Sequence, residues 1–169
     1  MAGTCNLHTL SCSYASVRRP SEAGTGVPDA ARGANAMAVV LLAAGVGTIL
    51  YWVAFFASGA VQASADPCYL VFERAFPAAD GWTALCALVA AHALWRRRAH
   101  AVLFGIAAGS GFVFLGLMDV LYNLEHGMYA LHSAEMAAEI VINVACLTIG
   151  PTAIVLVWRA RAALDRTAS

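Results

Sequence analysis

Polar positions in this chain act as punctuation between long apolar runs. From Met37 to Ser58 the run MAVVLLAAGVGTILYWVAFFAS carries no charged residue. At a helical rise of about 1.5 Å per residue it is long enough to cross roughly 30 Å of hydrocarbon. Tyr51, Trp52, Phe55 and Phe56 fall near its far end, where aromatic side chains gather at a membrane–water boundary. A second span is predicted from Pro77 to Trp95. Pro77 suits a first helical turn, Asp80 suits the positive end of the helix dipole, and Arg96, Arg97 and Arg98 stop the run. A third span is predicted from Ala99 to His126, with Gly127 as its C-terminal cap. A fourth runs from Ala134 to Trp158. Pro151 lies inside it and removes a backbone donor, which predicts a kink one turn earlier, near Leu147.

These runs predict an all-α fold, an integral membrane four-helix bundle running up-down-up-down over residues 37–158. Residues 1–36 are rich in Gly, Ser, Ala and Pro without a helical period, and read as a disordered segment. A translation start at Met37 would also fit, since a clean span begins there. No early apolar core follows a basic start, so no signal peptide is predicted. Residues 159–169 form a short tail.

The arginines orient the predicted bundle. Arg18, Arg19 and Arg32 precede the first span, Arg96, Arg97 and Arg98 join the second and third, and Arg159, Arg161 and Arg166 follow the fourth; Arg74 alone falls on the other side. By the positive-inside rule both termini are cytoplasmic. The acids are biased the other way. Asp66, Glu73, Asp80, Asp119, Glu125, Glu135 and Glu139 map to the outer half, whereas Glu22, Asp29 and Asp165 map inside. Acids contribute little to topology, so insertion does not require this bias and it carries information about function.

Composition agrees with a lipid environment. Of 169 residues, 61% are hydrophobic and 12% charged, against about 25% charged in a soluble domain. The formal net charge is zero, which leaves no basic footprint for nucleic acid. All basic residues are Arg and Ala is abundant, a bias that favours a bacterial inner membrane. The five cysteines form no C-x-x-C, so neither a redox pair nor a zinc knuckle is predicted.

The densest polar cluster is GLMDVLYNLEHGMYALHSAEMAAEIVIN, Gly116 to Asn143. Asp119, Asn123 and His126 are spaced i, i+4, i+7 and share one face of the third helix. Glu135, Glu139 and Asn143 are spaced i, i+4, i+8 and share one face of the fourth. The short link at 127–133 makes the two helices antiparallel neighbours, which brings Asp119 and Glu139 to similar depth. Carboxylates facing lipid are costly, so both are expected to point into the bundle or a wet cavity. The segment Tyr69 to Phe76 is aromatic and apolar around Glu73 and Arg74, and reads as a short interfacial helix over the bundle. Arg74, the one outer cation, could neutralise a carboxylate there. Asp80, Glu125 and Glu135 read as helix-end or interfacial charges. Gly105-x-x-x-Gly109 fits close helix packing.

Three uses of the cluster follow. It could bind a small ligand, proton or cation at Asp119, Asn123, His126, Glu139, Asn143, Glu73 and Arg74. It could serve an enzyme that uses the carboxylate pair on a lipophilic substrate. Or Asp119–Asn123 and Glu139–Asn143 could be interhelical glue, each worth about 0.6 kcal/mol, in an accessory subunit of a membrane complex or a homo-oligomer. His126, His132, Asp119, Glu135 and Glu139 could also hold a divalent ion, but their spacing matches no standard motif, and neither metal nor cofactor is predicted. The segments FERAFPAADGW and FLGLMDVLYNLEHGMY, joined by a span ending in WRRR, resemble small uncharacterised four-span membrane proteins of bacteria. In span count and residue types the chain also resembles the emopamil-binding-protein and sterol isomerase group, which places acids and an Asn in a lipid-accessible cavity. That likeness rests on no motif, and no activity follows from it.

Overall fold

The computed structural model describes residues 27–59 and 61–165. Among them every element is helical: α1 (Val27–Ser58), α2 (Pro67–Glu73), α3 (Pro77–Trp95), α4 (His100–Glu125), a 3₁₀ turn (Met128–Ala130) and α5 (Ala134–Asp165). Three helical stretches are long and apolar enough to cross a membrane: Gly33–Ser58, His100–Glu125 and Ala134–Leu164. Their outward faces are greasy, with Leu50, Leu103, Phe114 and Val141 all exposed, a surface that water does not tolerate over so wide an area. The helix α3 is shorter, and Asp80, Thr83 and His92 interrupt its apolar run. One face is packed against protein, where Ala87, Ala90, Ala91 and Ala93 have no exposed surface, while Trp82 and Leu85 face outward.

Local chemistry sets most boundaries. Asp66 caps α2, its carboxylate accepting from the backbone N–H of Cys68 at 2.7 Å. Pro77 opens α3. Gly127 takes φ 64° just after α4, a left-handed turn that a glycine makes without steric cost. Ser133 caps α5 by accepting from the N–H of Met136 at 3.1 Å. Two boundaries differ from the sequence expectation. α1 starts at Val27, ahead of the apolar run, so residues 27–36 of the segment read as disordered are helical; residues 1–26, with Arg18 and Arg19, lie outside the described residues, as does Arg166. α5 extends past Trp158 to Asp165 and continues unbroken through Pro151. The Thr148 hydroxyl donates to the Val144 carbonyl at 2.8 Å and that of Thr152 to the Thr148 carbonyl at 2.7 Å, which supports the ladder on either side of the missing donor.

Glycines let the helices approach closely. A Cβ at Gly109 would sit 2.7 Å from the Gly150 carbonyl oxygen, so α4 and α5 touch backbone to backbone there. Gly105 receives Val157, Gly116 receives Cys146 and Leu147, and Gly45 receives Leu88. The seams α1–α3, α3–α4 and α4–α5 are long, whereas α1 and α5 meet over a much shorter stretch. The link Arg96–Arg98 sits at one end of the bundle, tied to α1 by Arg97 Nη2 donating to Asn35 Oδ1 at 3.0 Å. The end of α5, with Arg159 and Arg161, lies at that same arginine end. The acids gather at the other.

Candidate functional site

At the acid end three elements converge. Asp119 comes from the last third of α4, Glu139 from the second turn of α5 and Glu73 from the last residue of α2. Carboxylate oxygens of all three lie within 4.8 Å of one another. They stand at the head of a cavity of about 300 Å³ whose walls include Tyr51 and Trp52 of α1, Phe112 of α4, and Ile142, Cys146 and Ile149 of α5. Among the described residues, no arginine or histidine lines it.

Glu73 reaches the site because α2 is docked over the bundle end. Its Tyr69 is fully buried against Met128 and Met136, and the Tyr69 hydroxyl accepts from the Ala63 N–H at 3.2 Å. Phe72 stacks on Tyr122 of α4 with ring centroids 3.8 Å apart, and Tyr122 stacks on His126 at 4.1 Å. Burial pushes the Glu73 carboxyl up to about 8, helped by the nearby Asp119, Glu139 and Asp80 charges. Burial likewise raises the Tyr69 hydroxyl.

The asparagines hold the acids in place. Asn123, with no exposed surface, donates from Nδ2 to Glu139 Oε1 at 3.2 Å. Asn143 donates to the Tyr129 hydroxyl at 3.4 Å and also reaches the Asp119 carboxylate, while Asp119 and Glu139 lie within hydrogen-bonding reach of each other. Among the described residues, two buried side-chain atoms lack a hydrogen-bond partner: Asn123 Oδ1 and Glu139 Oε2. Both are acceptors.

The structure therefore brings together Glu73, Asp119, Asn123, Glu139 and Asn143. It does not bring in His126 or Arg74. His126 is exposed, its Nδ1 lying 3.0 Å from the Tyr122 carbonyl, and stands outside the cavity. Arg74 is exposed at the end of α2, its backbone N–H bonded to the Leu70 carbonyl. His132, Glu125 and Glu135 are also outside. Two contributors go beyond the sequence reading. Asp80, read as a helix-end charge, lines the cavity and accepts from Trp52 Nε1 at 2.8 Å. Tyr129 anchors Asn143 from the 3₁₀ turn. An aromatic residue at the end of one span facing an acid at the start of the next was the available signal for the first; none marked the second.

Chemically, three carboxyl groups at this spacing cannot all be ionised in an apolar cavity without a compensating positive charge. The arrangement can hold protons, a cation or a hydrogen-bond donor. The chain matches no protein-family model, no curated protein and no solved structure.

Proposed function

We propose that this is a four-span membrane protein, both termini cytoplasmic, that binds a positively charged species, a proton or a cation, in an acid-headed cavity near the outer face. The observation that carries this reading is the convergence of Glu73, Asp119 and Glu139 within 4.8 Å, with no basic side chain among the described residues lining the same cavity. Interhelical glue alone would not need three acids at one point, since an amide pair bonds as well without repulsion. The outward-facing apolar surfaces of α1, α4 and α5 support insertion, and the arginine end supports the orientation. α3 would be the fourth span, with one face packed on its neighbours and Trp82 and Leu85 facing outward. The arginine-only, alanine-rich composition favours a bacterial inner membrane.

A hydrophobic carbodiimide tests the reading, because it modifies carboxyl groups that hold a proton in an apolar setting. The intact protein in nanodiscs should be modified at Glu73, Asp119 or Glu139, and the triple variant Glu73→Gln, Asp119→Asn, Glu139→Gln should abolish the reaction. Modification confined to exposed Glu125 or Glu135 would refute it. The cavity is larger than a bare ion needs and is walled by Tyr51, Phe112 and Ile149, which favours as a second reading a lipophilic substrate handled beside the carboxylate pair.

A further inference from the structure

We propose that Glu73, Asp119 and Glu139 form a binding site for one divalent cation of the hard, oxygen-seeking kind, and that the ion pins α2 onto the bundle. This deepens the cation reading above and rests on it. The donor set is all oxygen, and it is drawn from three separate elements. Two oxygens on one such ion are separated by at most about twice a metal–oxygen bond, roughly 4–5 Å, and the three carboxylates meet that limit at 4.8 Å. Hard carboxylate and carbonyl oxygens select ions of the magnesium, calcium and manganese class.

A second observation is independent of the acids' clustering. Asn123 is completely buried, and its amide is held against Glu139 by the 3.2 Å bond, yet its carbonyl oxygen has no partner. A proton shared between Asp119 and Glu139 would satisfy Glu139 Oε2 and leave Asn123 Oδ1 bare. A cation would satisfy Glu139 Oε2 directly, and water carried in its shell would supply a donor for the neighbouring Asn123 Oδ1. Buried acceptors without donors are rare in folded proteins, and each calls for a missing partner.

Glu73 gives the site a mechanical consequence. α2 has seven residues, too few to be stable as an isolated helix. Its docking rests on Tyr69, the Phe72–Tyr122 stack and whatever Glu73 binds. Without a cation, burial beside Asp119 and Glu139 disfavours an ionised Glu73; with one, the same carboxylate becomes a tether.

The test uses the full chain in detergent micelles after exhaustive chelation, titrated in turn with Mn²⁺, Ca²⁺, Mg²⁺ and Zn²⁺. Calorimetry and, for Mn²⁺, electron paramagnetic resonance report binding. The expected result is one equivalent of Mn²⁺ or Ca²⁺ per chain. Asp119→Asn, Glu139→Gln and Glu73→Gln should each weaken it tenfold or more, and Glu125→Gln and Glu135→Gln should leave it unchanged. Because the amide variants could fold poorly, the wild-type protein carries its own control: added ion should slow carbodiimide modification of Glu139 and protect the chain after Glu73 from proteolysis. Absence of stoichiometric binding by all four ions overturns the proposal, as does binding that survives the three substitutions. If ions have no effect but the carbodiimide still reacts at Glu73, Asp119 or Glu139, the divalent site falls while the proton reading stands. If neither occurs, both fall.

Discussion

Replacing Glu73 by Gln should remove a specific pH dependence of stability. Glu73 lies outside the spans, so its unfolded reference is an ordinary aqueous carboxyl near 4.5, whereas the folded chain holds it at about 8. Below about pH 4.5 folded and unfolded chains both carry the proton. Between about 4.5 and 8 the folded chain keeps it and the unfolded chain releases it. Stability therefore falls as pH rises through that window, by up to roughly 1.4 kcal/mol per pH unit. Above about 8 both states are ionised and the loss stops, having reached about 5 kcal/mol at most. The assay is thermal unfolding of chelated protein in detergent from pH 5 to 9, for wild type and Glu73→Gln. The wild type should lose melting temperature across the range, and the variant should lose distinctly less, since Gln has no proton to release. A wild-type curve that is flat or rises with pH, or a variant that keeps the full slope, would refute the placement of Glu73 among buried acids.

Three further outcomes are expected. Gly109→Ala should destabilise by about 1–3 kcal/mol, because the new Cβ meets the Gly150 carbonyl at 2.7 Å and backbone cannot rotate away; Gly47→Ala, with nothing within 4 Å, should be neutral or stabilising by up to about 1 kcal/mol in denaturant-detergent unfolding. Trp52→Phe should cost about 1–3 kcal/mol by removing the donor to Asp80, read as a lowered melting temperature that Asp80→Asn does not lower further. In a Cys5→Ser, Cys12→Ser background, a membrane-impermeant maleimide applied to intact cells should label exposed Cys68 and leave buried Cys86 untouched; labelling only after permeabilisation would reverse the proposed orientation.

The helical architecture could be read closely from the sequence because apolar run length and stop signals are local. Pro77 and Trp95 bound α3 as expected, and α4 and α5 begin within a residue of the expected positions. The i, i+4 spacing placed Asp119 with Asn123 and Glu139 with Asn143, and the short link made their helices neighbours. What spacing does not encode is depth and azimuth across helices that are distant in sequence. Trp52 and Asp80 are 28 residues apart, and their pairing depends on how α1 rolls against α3 at Gly45. Glu73 enters because Phe72 finds Tyr122, a ring-to-ring contact invisible to periodicity. His126 shares a helical face with Asp119 by count, yet it lies beyond the bundle's edge, stacked on Tyr122. The helix start at Val27 was missed because residues 27–36 lack the apolar period by which the spans were recognised.

Three of the four helix seams are zipped by glycine and alanine, and the fourth, between α1 and α5, is not. The hollow sits behind that fourth seam, flanked by Thr48 and Tyr51 on one side and Ile142 and Cys146 on the other. Separating α1 from α5 breaks few contacts, whereas the other seams are locked at glycines, backbone to backbone at Gly109 and Gly150. In the proposed bilayer setting, the wall between this hollow and the acyl chains is therefore the one that parts most easily.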